Sequence, residues 1–130
     1  MADTVDVKVL YSSPKRHIVR LTNVSDGTGE SDVVKIDVST LTNQEGATCT
    51  YLVIEEVEWS IQGFTSVRLE FDATTDDECE VLSGNGYKDY RSFGGNVDPK
   101  STGTTGDILL TTAGTTSGNT YDIVISARKK

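Results

Sequence analysis

Apolar and polar residues alternate with a period of two over much of the chain. Val5, Val7, Val9 and Tyr11 fall on one face, with Asp6 and Lys8 opposite. His17–Val24 is a second apolar-rich segment, interrupted by Arg20. Val34, Ile36 and Val38 alternate with Lys35 and Asp37. The longest candidate strand lies in 50–62, where Tyr51, Val53, Val57, Trp59 and Ile61 share one face and Glu56, Glu58 and Ser60 the other. Val67, Leu69 and Phe71 alternate with Arg68, Glu70 and Asp72. A short strand is expected at Glu80–Leu82, and further ones at Ile108, Leu110 and Thr112 and at Tyr121, Ile123, Ile125 and Ala127. Such alternation is what a half-buried strand requires. Gly-rich turns punctuate these runs at 26–29, 62–63, 83–86, 94–95 and 117–119. Residues 39–46 have room for one helical turn capped by Ser39 or Thr40. The pattern predicts an all-β fold, an antiparallel β-sandwich or jelly-roll-like single domain over 1–130, with long loops rich in Gly and Thr. Residues 1–6 are expected to form an extended N-terminal arm, 83–106 a long loop, and 128–130 a basic tail.

Composition supports the β reading. Val, Ile and Thr make up 39 of the 130 residues, against 5 Ala and 8 Leu, and β-branched side chains favour strands over helices. No unbroken apolar run exceeds the four residues Tyr51–Ile54, so no membrane helix is expected. The opening Met-Ala-Asp-Thr-Val-Asp is acidic and lacks the apolar stretch of an export signal. The chain is therefore expected to stay in a reducing cytoplasm, with Cys49 and Cys79 as free, small apolar residues. The net charge of −8 argues against nucleic acid as a partner, because phosphate binding needs a basic footprint. The charge is uneven: residues 26–80 carry 14 acids and only two bases, Lys35 and Arg68, while bases gather near the start (Lys15, Arg16, Arg20) and at the end (Arg128, Lys129, Lys130).

Candidate chemistry is sparse. His17 is the sole imidazole, and it is expected on the surface or an edge strand. No nucleophile motif surrounds any Ser or Cys, so no catalytic residue is expected. Glu55, Glu56 and Glu58 do not form a glycosidase pair, because Glu56 and Glu58 share one strand face. Glu55 points the other way, which implies either a pairing with Arg68 or a bulge in the strand. Two acidic loops, Asp26–Asp32 and Asp72–Glu80, carry oxygen ligands but lack calcium-loop spacing, so neither a metal nor a cofactor is expected. In 83–106, six Gly surround Tyr87, Tyr90, Arg91 and Phe93. Aromatic residues and Arg are the types that anchor interfaces. These four, with Arg128, Lys129 and Lys130, are the candidate interface. Two readings of the 83–106 segment are open: a short hairpin over 87–93 whose aromatics cap the core, or a contact surface that orders on a partner.

The runs Val24–Leu41, Gly95–Thr112 and Gly118–Lys130 carry a resemblance. Over roughly residues 15–130 the chain resembles small virion structural proteins of tailed bacteriophages, most closely capsid decoration, or cement, proteins. The resemblance implies a non-enzymatic protein on the capsid exterior that binds the major capsid protein and stabilises the assembled shell. It also implies a homo-oligomer, often a trimer, made in the host cytoplasm and binding neither nucleic acid nor membrane. It supplies no catalytic or contact residue by motif. A tail, neck or fibre-associated virion component is the alternative within the same group, and a carbohydrate-binding module the alternative outside it.

Overall fold

Strands form where the alternation is cleanest. The computed structural model describes residues 4–130. In chain order the strands are β1 (Thr4–Ser12), β2 (Arg16–Val24), β3 (Val33–Ile36), β4 (Leu52–Gln62), β5 (Ser66–Phe71), β6 (Asp77–Leu82), β7 (Asn85–Asp89), β8 (Asn96–Val97), β9 (Ile108–Ala113) and β10 (Thr120–Lys129). Two single 3-10 turns lie at Val38–Thr40 and Arg91–Phe93. No helix among the described residues is long and apolar enough to cross a membrane.

All pairings are antiparallel. The first sheet has the order β1-β2-β10-β4-β7, with β8 paired to the start of β4. The second has the order β3-β9-β5-β6. They pack face to face as a β-sandwich, and the core is the set of alternating residues the sequence offers: Val19 and Leu21, Val57, Val67, Leu69 and Phe71, Ile108 and Leu110, and Tyr121, Ile123 and Ile125. Each large aliphatic side chain removed from water this completely contributes roughly 2 kcal/mol. Gly86 and Gly106 sit where a larger side chain would collide. A Cβ on Gly86 would enter the Trp59 ring, and one on Gly106, whose φ is +83°, would strike the Thr50 carbonyl.

The alternation fails at four bulges. The register breaks at Leu10 in β1, Lys35 in β3, Glu55 in β4 and Cys79 in β6. An extra residue reverses which face the following side chains occupy. Leu52 and Ile54 therefore face the core ahead of Glu55, as Val57 and Ile61 do after it. Tyr51 and Val53 do not share a face with Val57, as the simple alternation predicts; Val53 lies on the opposite side, against Gly95. In β3 the bulge leaves Val34 exposed and turns Lys35 inward.

Several expectations are corrected. β1 is not half-buried: every residue in it is exposed, because the second sheet stops short of it. Residues 4–6 belong to this strand rather than to a free arm; 1–3 lie outside the described residues. The basic end is not a tail, since Arg128 and Lys129 close β10. Within the 83–106 segment, residues 85–97 hold β7, the second 3-10 turn and β8 against the first sheet, and only 98–106 remains an extended loop. The helical turn near 39–46 falls at Val38–Thr40, and Asp37, not Ser39 or Thr40, caps it by accepting from the Ser39 amide.

Candidate partner-binding face

The outward face of the first sheet is built in rows across its strands. One row runs Arg20, Val124, Glu58 and Tyr87; the next runs Ile18, Ser126, Glu56 and Asp89. Tyr87 donates its hydroxyl to Glu56 Oε2 at 2.7 Å. Arg91 reaches the other oxygen of Glu56 at 3.1 Å and grips Asp89 with two bonds, Nε to Oδ1 at 3.0 Å and Nη2 to Oδ2 at 2.8 Å. The guanidinium and the Arg91 backbone N–H together hold the Asp89 carboxyl down at about 2. Phe93, at the end of the same turn, is 74% exposed and meets Tyr90 edge-on at 6.2 Å between ring centres.

Tyr90 is the root of this arrangement. Its hydroxyl donates to both oxygens of Glu80, at 2.6 and 2.9 Å. Burial and then this carboxylate push the phenol well above its ordinary value. Lys88 and the Asn96 amide also reach Glu80, at 3.2 and 2.9 Å. Glu80 is fully buried on β6, in the second sheet. One carboxylate thus pins β7, the Arg91–Phe93 turn and β8 to the opposite layer.

Beside this cluster the bulge turns Glu55 outward beneath two arginines, Arg16 at 3.4 Å and Arg128 at 3.7 Å. The expected bulge is present, and a pairing of Glu55 with Arg68 is not, because Arg68 grips Glu78 instead. A shallow groove of 220 Å³ runs between the two clusters, with Ile18 and Val124 among its lining and Arg16, Glu56 and Tyr87 beside them.

Of the sequence-predicted interface residues, Tyr87 and Arg91 converge on Glu56, with Phe93 next to them. Tyr90 is half-buried and acts as their anchor. Arg128 lies across the groove, half-covered, and donates to the Gly94 carbonyl at 3.4 Å. Lys129 is buried on the core side, its ammonium donating to Ser12 Oγ at 3.0 Å, so it is not part of any surface. Lys130 is exposed, and its backbone pairs with Thr50 and Tyr51.

The remaining chemical candidates resolve as follows. His17 is buried on β2, not on the surface, with Nδ1 3.1 Å from Ser12 Oγ. Burial, then the Lys129 charge, lowers its basicity. No carboxylate among the described residues lies within ion-pair distance of it. Cys49 and Cys79 are both free and buried. The two acidic loops meet: the Asp32, Glu70 and Asp76 carboxylates lie within 4.8 Å of one another. This is the one grouping of three metal-capable side chains among the described residues. None of the three is fully buried, an arrangement that acidic surfaces hold without an ion. The sequence reading missed Lys35 and Glu30, which form a buried ion pair at 2.5 Å between the sheets. Tyr121 and Asn23 donate to the same Glu30 carboxylate.

Asp98 is a buried acid with no ion pair among the described residues. It accepts from the Lys100 amide, but its Oδ2 has no partner, and burial, with nearby Asp77, raises its pKa from the ordinary aspartate value. An acid raised in this way favours the folded state at low pH and loses that advantage as pH climbs from 3.8 through the higher folded value. Asp98→Asn, which keeps the acceptor for Lys100, is therefore expected to raise the melting temperature by a few degrees at pH 7 and not at pH 3, as read by calorimetry at both values.

No family model, curated protein or solved structure matches the chain. Trp59 is turned inward onto Gly86 and donates Nε1–H to the Ser83 carbonyl. Tyr87 bonds Glu56, whereas Phe93 meets Tyr90.

Proposed function

We propose that this chain is a non-enzymatic structural protein of a tailed-phage virion, binding and bracing the assembled capsid shell as a decoration protein. The observation that carries this reading is the rigid surface group Tyr87, Arg91 and Phe93. Arg91 is fixed by Asp89 and Glu56, Tyr87 by Glu56, and Phe93 projects from a turn pinned through Tyr90 to Glu80. Side chains immobilised before binding lose little entropy on docking, and aromatic residues and Arg dominate binding energy at protein interfaces. The likeness of the sequence texture to phage virion proteins points to the major capsid protein as the surface met. Binding only to the assembled shell would stabilise it by mass action, by about 2.7 kcal/mol per site at a hundredfold excess over Kd.

The test is a co-sedimentation titration on undecorated shells. Arg91→Ala and Phe93→Ala are each expected to weaken binding about thirtyfold, the effect of losing ~2 kcal/mol at an interface anchor. Wild-type affinity in both variants overturns the assignment of this face.

A further inference from the structure

The open edge of the first sheet carries a separate message. β1 is nine residues long and lies at the border of the sheet, its far side unpaired. Long, flat, apolar edges are templates for pairing with another strand, and most proteins blunt them with Pro or inward-pointing charge. Between Thr4 and Val9 this edge has no Pro and no inward-pointing charge, and its one bulge, at Leu10, lies beyond that stretch. Val5, Val7 and Val9 lie opposite Asn23, Leu21 and Val19 and so point to the core side of the sheet. The second sheet does not reach them, and they are 46%, 41% and 53% exposed. The side chains on the other face of β1 are Asp6 and Lys8. Within its own sheet Lys8 stands directly opposite Arg20, a like charge that is itself engaged with Asp122.

We propose that β1 pairs antiparallel with β1 of a second copy of this chain, about a twofold axis at Val7. In that register Asp6 faces Lys8 of the second copy, and Lys8 faces its Asp6. Val5 faces Val9, and Val7 faces Val7. The strand is self-complementary in both rows at once. The apolar row that one chain cannot cover becomes a continuous six-valine stripe. The charge row places an acid opposite each lysine that now confronts only an arginine. Two sheets of five main strands join into one of ten, and the symmetry closes as an isologous dimer. This differs from the threefold arrangement that the resemblance implies. It does not rest on the capsid reading, because it concerns the free protein.

The experiment measures mass in solution and register by cross-linking. Light scattering at tens of micromolar is expected to give twice the 14.0 kDa chain mass. Lys8→Asp puts an acid opposite Asp6 of the second copy while relieving the clash with Arg20. It is expected to weaken dimerisation at least tenfold without lowering the melting temperature. The double variant Asp6→Lys/Lys8→Asp restores the opposite charges and is expected to restore the dimer. Val7→Cys is expected to form an intermolecular disulfide under mild oxidation, while Val5→Cys alone forms none, because only position 7 meets itself across the axis. A monomeric or trimeric wild-type mass overturns the proposal. So does a dimer indifferent to Lys8→Asp, or equal cross-linking through positions 5 and 7.

Discussion

Lys35→Met is expected to cost about 3–5 kcal/mol of folding stability, the usual consequence of stripping the partner from a buried charge. The Lys35 ammonium and the Glu30 carboxylate are both almost wholly out of solvent. Glu30 holds Tyr121 of β10 and Asn23 of β2 on the same carboxylate, so the pair joins both sheets. Without Lys35 the carboxylate stays buried with two neutral donors and no opposing charge. Urea unfolding measures the loss as a lower midpoint at an unchanged slope. The double variant Glu30→Gln/Lys35→Met is expected to regain most of it, because a matched neutral pair can replace a buried ion pair at little cost. An undiminished midpoint in the single variant would mean that Glu30 is not held as a buried anion.

Glu80→Ala is the second large effect, and it links stability to the proposed docking face. It removes the acceptor shared by Tyr90, Lys88 and Asn96. Leaving part-buried donors unsatisfied costs about 2–3 kcal/mol in total. The loss falls on the attachment of β7, the Arg91–Phe93 turn and β8 to the second sheet. Limited proteolysis is expected to cut the variant within 85–97 and to leave the wild type intact there. Shell binding should weaken although no contact residue has changed. Tyr90→Phe keeps the ring under Phe93 and is expected to show a milder form of the same behaviour. Wild-type protease resistance in Glu80→Ala would mean that the turn is held by other contacts.

The layers of the fold were legible because two-residue periodicity is a direct reading of burial. Leu69 and Phe71 on β5 and Ile123 and Ile125 on β10 are core residues where alternation places them. Each failure has a physical cause. A bulge reverses the phase without leaving a mark in composition, so Lys35 reads as an outward residue and is in fact buried. Glu55 was recognisable as a misfit on its strand, but its partners Arg16 and Arg128 come from strands distant in sequence. β1 has the alternation of a buried strand and none of the burial, since alternation cannot report whether the other sheet extends far enough to cover it. Lys129 reads as a charged tail, but the length of β10 carries it inside. The site was half visible: Tyr87, Arg91 and Phe93 stood out as interface types in a Gly-rich stretch. Glu56 and Asp89, which hold them in place, are ordinary acids until the pairing of β4 with β7 brings them together, and Glu80 is one until the second sheet packs beneath β7.

The proposed role is to cover an assembled shell. The most direct test saturates undecorated capsids with the purified wild-type chain and counts bound copies by quantitative mass spectrometry. Saturable binding at hundreds of copies per particle is the expected result. Six or twelve copies per particle, or no binding to the shell, would contradict it.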